Sequence, residues 1–81
     1  MIVLLSDESK KFLKKIPKGD IEVILRKLKA ISENPFPHLK KLKGSKLWRL
    51  RVLKYRAILD IVIKANTIYV VRIGYCKDVY N

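Results

Sequence analysis

Apolar residues recur along this chain with two different periods, and the change from one to the other divides it. Ile2-Val3-Leu4-Leu5 is a short aliphatic run of the kind that forms a strand. From residue 6 the spacing becomes helical. Ser6 is placed to cap a helix whose first turn holds Asp7 and Glu8, at the positive end of the dipole. Phe12, Leu13 and Ile16 make its apolar stripe among Lys10, Lys11, Lys14 and Lys15, and Pro17-Lys18-Gly19 breaks it. Asp20 is placed to cap a second helix, where Ile21, Ile24, Leu25, Leu28 and Ile31 recur at three- and four-residue spacing. Asn34-Pro35 ends that helix, because a residue before proline avoids the α region. Phe36-Pro37-His38-Leu39 reads as irregular, and residues 40–46 as a basic loop.

From Leu47 onward the period is two. Residues 47–52 and 55–63 read as strands flanking a tight connection at Leu53-Lys54. Residues 64–67 read as a hairpin turn and residues 67–74 as the last strand. In the first of these strands Trp48, Leu50 and Val52 share one face, and Leu47, Arg49 and Arg51 share the other. The next two are apolar on both parities, which marks them as central and covered on at least one face. The order β-α-α-β-β-β predicts an α+β fold, in which a helical hairpin packs on one face of a small, mainly antiparallel sheet. The other face is left open and basic. Residues 1–81 are expected to form a single domain, too short for two cores.

Composition sharpens this picture. With 49% apolar residues the chain is a folding sequence, not a disordered basic tail. Lys and Arg number 19 against 7 acidic residues, a formal charge of +12, which favours anionic partners and nucleic acid above the others. The excess is uneven: residues 1–40 hold 9 basic and 5 acidic side chains, residues 41–81 hold 10 and 2. The anion-facing part is therefore expected in the C-terminal half. Cys76 is the single cysteine, so no internal disulfide can form and a reducing compartment fits. Met1–Leu5 is too short for a signal peptide, and Asp60 and Lys64 bracket Ile61-Val62-Ile63, so no run approaches a membrane span. The expected location is cytoplasmic.

Candidate chemistry gathers around the central strands. Arg49 and Arg51 stand side by side on one face and Arg56 opens the next strand, a patch that repels itself unless an anion sits on it. Trp48 shares parity with Leu50 and Val52 and is expected to anchor the core. Of Tyr69 and Tyr75, one is expected in the core and one at the surface. Nothing marks Cys76 as an activated thiolate, and the lone His38 precedes the basic loop with no second histidine to pair with.

Taken together, several blocks resemble the RelE/ParE superfamily of toxins from type II toxin–antitoxin systems, and its RelE branch in particular. They are Lys10-Lys11-Phe12-Leu13-Lys14-Lys15-Ile16-Pro17, Pro35 with Leu42-Lys43-Gly44, Leu47-Trp48-Arg49-Leu50-Arg51, Tyr55-Arg56, and Arg72-Ile73-Gly74 with Lys77-Asp78-Val79-Tyr80. The resemblance spans nearly the whole chain in order. It implies a metal- and cofactor-independent endoribonuclease that enters the ribosomal A site, cleaves mRNA there and inhibits translation. It also implies neutralisation by a cognate RelB-like antitoxin, acidic and mostly helical, in a hetero-oligomer. By the same resemblance Arg49 and Arg51 line the scissile phosphate, Arg56 stabilises the transition state, and Tyr80 stacks on a codon base and takes part in proton transfer. Lys41, Lys43, Lys46, Arg72 and Lys77 are the cations expected to bind RNA. One position departs from the family pattern: Cys76 stands where members carry an arginine, with Lys77 following. That leaves a second reading open, a weakly active or binding-only relative that acts on RNA, the ribosome or, like the ParE branch, DNA gyrase.

Overall fold

The protein is described from a computed structural model, over residues 1–77. Its strands are β1 (Ile2–Leu5), β2 (Lys40–Lys41), β3 (Trp48–Val52), β4 (Tyr55–Val62) and β5 (Thr67–Tyr75), and its helices α1 (Asp7–Leu13) and α2 (Lys18–Ile31). The strands form one sheet in the order β1-β5-β4-β3-β2. Every pairing is antiparallel except that of β1 with β5, which is parallel. β4 and β5 are interior strands, as their apolar residues on both parities imply. The α+β expectation holds, with one addition: the two-residue strand β2, formed from the start of the basic loop.

Local sequence explains where the helices begin and end. The Ser6 side chain accepts a hydrogen bond from the backbone N–H of Ser9 at 3.0 Å, closing the first turn of α1. Pro17, with φ near −59°, occupies the cap position of α2 and leaves Asp20 inside the first turn. Asp20 is thus not a cap, because Pro17 starts the helix one turn earlier than the acid suggests. Ile24, Leu28 and Ile31 face the sheet at four- and three-residue spacing, while Leu25 is shifted to the margin and exposed.

The core lies between this helical pair and one face of the sheet. Leu13, Ile16, Ile24, Leu28 and Ile31 meet Leu50, Val52, Tyr55, Ala57, Leu59, Ile68, Val70 and Ile73. Trp48 packs half-buried at its edge, with its ring 5.2 Å from that of Phe36. Phe12, Tyr55 and Tyr75 form an edge-to-face and tilted trio with centroids 5.4–5.8 Å apart. Tyr75 is therefore the core member of the ambiguous pair, and Tyr69 is exposed. The β3–β4 connection turns at Leu53, whose φ of 56° places a branched residue in the left-handed region that glycine or asparagine ordinarily takes.

Candidate nucleic-acid interface

Register decides which side chains share the face that the helices leave open. In an antiparallel pair, directly opposite residues point the same way. Arg51 stands opposite Arg56, and Arg49 opposite Ile58, on β3 and β4. Ile58 in turn stands opposite Arg72 on β5. Four arginines thus project from three adjacent strands onto one face, as the parity of Arg49 and Arg51 predicts.

Arg72 reaches this face through an irregularity that period-two reasoning could not place. Ile68 and Val70 point into the core, so strict alternation would send Arg72 there as well. The register shifts between Ile58 and Leu59: Leu59 pairs with Val70, Ile58 with Arg72, and Val71 is the extra residue on β5. Beyond this bulge the parity inverts, so Ile73 enters the core and Arg72 turns outward. The start of α1 holds the carbonyls at the bulge. Ser6 N–H donates to Val70 O at 3.0 Å, Ser9 Oγ to Val70 O at 3.1 Å and Ser6 Oγ to Val71 O at 2.6 Å. Ser9 is 0% exposed, a buried polar residue with its partners in place.

The basic loop folds over part of the same face. Leu42 from the loop covers Ile58, with Leu47 and Val71 around them, in a second small apolar cluster. Exposed Lys46 lies 3.5 Å from half-buried Asp60 on β4, a pair open to solvent on the lysine side that contributes little to stability. Lys43 is exposed in the loop. Lys41 departs from the expectation: β2 pairs Lys41 with Trp48 and Lys40 with Arg49, so Lys40 shares the arginine face and Lys41 does not. Lys41 Nζ sits 5.4 Å from the Trp48 ring centroid and donates to Ser45 O. Nothing in the run of lysines reveals that parity, because a two-residue strand has no apolar period of its own. Lys77 follows β5 at the end of the sheet, and Tyr80 lies outside the described residues.

Tyr55 adjoins Arg56 in sequence but faces the other way. It is 1% exposed, and its phenol donates to the Asp20 carboxylate at 2.6 Å. That hydrogen bond, together with burial and the nearby carboxylate charge, pushes its pKa up from 10.0 to about 12. Such a phenol keeps its proton and is no general base for chemistry on the open face. Among the described residues no three His, Cys, Asp or Glu come together as a metal-binding group, and no helix is long and apolar enough to cross a membrane.

The arrangement is a cationic sheet face of guanidiniums set on adjacent strands, suited to phosphate oxygens through paired N–H donors. A sequence profile of the family described as "ParE toxin of type II toxin-antitoxin system, parDE" matches residues 3–80. The chain belongs to that family. Solved toxin structures share its fold. The RelBE2 toxin–antitoxin complex of Mycobacterium tuberculosis matches with a TM-score of 0.84 at 18% identity, over 91% of this chain and 95% of that one. The RelE–RelB complex of Pyrococcus horikoshii OT3 matches with 0.82 at 22% identity, over 96% and 97%. The intact RelBE complex of E. coli matches with 0.78 at 18% identity, over 93% and 95%. No protein with a curated description matches. The superfamily expected from the sequence blocks is therefore shown, and the fold with it.

Proposed function

We propose that this family member is a ribosome-dependent endoribonuclease that cleaves mRNA in the A site in the cytoplasm and is neutralised by an acidic, mostly helical antitoxin. The observation that carries the reading is the convergence of Arg49, Arg51, Arg56 and Arg72 on the sheet face opposite the helices, with Arg51 directly opposite Arg56. In metal-independent cleavage of RNA the 2′-oxygen attacks the adjacent phosphorus. A pentacoordinate phosphorane forms, and the 5′-oxygen leaves with a proton, giving a 2′,3′-cyclic phosphate and a 5′-hydroxyl. Guanidiniums supply the charge stabilisation such a phosphorane needs. As permanent cations they do not remove the 2′-hydroxyl proton. With Tyr55 held protonated on the far face, that proton passes to a lysine, to another tyrosine such as Tyr80, or to the ribosome. This need for an outside contribution agrees with an enzyme that barely cuts free RNA.

The partner follows from the same surface. Beside the arginines the open face becomes apolar, with Ile2, Leu4, Val62 and Tyr69 exposed. An amphipathic acidic helix laid across it would bury the apolar part and neutralise the cationic part. The three structural relatives described above are toxins solved in complex with antitoxins.

Cleavage mapping of a defined message on programmed ribosomes tests the reading. New 5′-hydroxyl ends inside the A-site codon, reduced at least a hundredfold in Arg56→Ala, are expected, the size of effect seen when one transition-state donor is removed. Ribosome binding without cleavage by the wild type would sink it. That outcome would favour the second reading, a binding-only or gyrase-directed relative, for which Cys76 at a usual arginine position speaks. Cys76→Arg then separates a weakened nuclease, which gains rate, from a non-catalytic binder, which does not.

A further inference from the structure

At the end of the sheet, where β3 turns into β4, Arg51, Lys54, Tyr75, Cys76 and Lys77 line an open depression of about 590 Å³. Among the described residues, three cations and no acid line it. Lys46, elsewhere on the open face, is by contrast paired with Asp60 at 3.5 Å. The cations come from separate segments brought together by the fold. The backbone N–H of Cys76 donates to Lys54 O at 2.9 Å, tying the end of β5 to the turn. Lys54 Nζ lies 5.9 Å from the ring centroids of both Tyr55 and Tyr75, so two aromatic faces hold the ammonium beside the depression. Arg51 Nε reaches Leu53 O at 3.4 Å, which draws its guanidinium toward the same turn. Like charges gathered in this way repel one another unless an anion lies among them.

We infer that this depression is a second phosphate subsite for single-stranded RNA, anchored by Lys54. Arg51 belongs to both sites: it stands opposite Arg56 on the open face and lines the depression. A strand whose phosphate lies between Arg51 and Arg56 therefore runs directly to Lys54 and Lys77 for its neighbouring phosphate. The Tyr75 ring, partly exposed at the edge of the aromatic trio, offers an apolar wall to the sugar or base between them. Lys54 is a binding and positioning residue, not part of bond cleavage. This inference rests on the RNA reading above.

The test compares wild type, Lys54→Ala, Lys54→Arg and, as a charge control on the helical side, Lys27→Ala. Two quantities are read: the salt dependence of affinity for a defined single-stranded RNA oligonucleotide, and cleavage on programmed ribosomes. Each phosphate contacted on a single strand contributes about 0.7 to the log–log salt slope. Lys54→Ala is expected to lower the slope by about that amount and to slow cleavage several-fold, Lys54→Arg to restore both, and Lys27→Ala to change neither. A slope for Lys54→Ala equal to that of Lys27→Ala overturns the subsite while leaving the RNA reading standing. Equal loss of affinity for RNA and for oligoglutamate of the same charge reduces the depression to an unspecific anion patch and also overturns it. If the wild type neither binds the oligonucleotide nor cleaves on ribosomes, the RNA reading itself fails and the subsite falls with it.

Discussion

The two faces of the sheet are made by the same strands, often by adjacent residues, yet they obey different rules. On the covered face Leu50, Leu59, Ile68 and Val70 are almost wholly buried, and each is there because the helices remove its apolar surface from water. On the open face Arg49, Arg51, Arg56 and Arg72 stand on neighbouring strands, and the small Leu42–Ile58 cluster helps to tie the basic loop down. Neighbours in sequence such as Ile58 and Leu59 end up in different clusters. The first face is optimised for folding. The second carries mutual repulsion that folding alone would not favour, and a self-repelling surface on a small domain points to a ligand.

The sharpest way to break this comparison is a pair of alanine substitutions. Leu59→Ala, at a site 0% exposed, is expected to cost about 3 kcal/mol, enough to unfold much of so small a domain. Arg49→Ala is expected to change stability by no more than about 0.5 kcal/mol, or to raise it slightly by relieving repulsion, while ribosomal cleavage collapses. Urea denaturation of both variants, beside the cleavage assay, measures the difference. Equal destabilisation would mean that the arginine face is structural.

A smaller effect probes the bulge that joins the two faces. Ser9→Ala removes a buried donor to Val70 O and is expected to cost about 1 kcal/mol, since Ser6 N–H still serves that carbonyl. Because the bulge alone turns Arg72 outward, its loosening is expected to weaken RNA binding more than the stability loss explains. Hydrogen exchange at residues 70–72, compared with RNA affinity, reads both.

The smallest effect concerns pH and lies wholly on the covered face. Folding holds the Tyr55 proton more tightly than the unfolded chain does, with a pKa of about 12 against 10.0. This group's contribution is therefore fully present below pH 10, and is lost as pH rises from 10 toward 12. The informative quantity is the difference between wild type and Tyr55→Phe. The variant is expected to be less stable at pH 8, with the gap narrowing as pH climbs. A gap independent of pH would remove the Asp20 hydrogen bond as its cause.

Much of this was legible before any coordinates. The helical spacing of Ile24, Leu28 and Ile31, the Ser6 cap and the alternation from Trp48 to Val52 are local signals, each spanning a turn or two of chain. The parity that puts Arg49 and Arg51 together is among them. Lys41 shows where such signals stop: a two-residue strand acquires its face only from its partner, here Trp48. Asp20 looked like a helix cap because capping is a local pattern. Its hydrogen bond to Tyr55, 35 residues away, is not.

By itself, the order and spacing of residues determined the element sequence apart from the two-residue β2, the split between a core face and a basic face on β3, and the charge that calls for an anionic partner. These follow from periods and propensities that act over a few residues. Tertiary structure alone decided the parallel pairing of β1 with β5, the bulge at Val71 that turns Arg72 outward, and the meeting of Arg51, Lys54 and Lys77 at the end of the sheet. Each depends on the register between distant strands, which is set by packing the whole core at once.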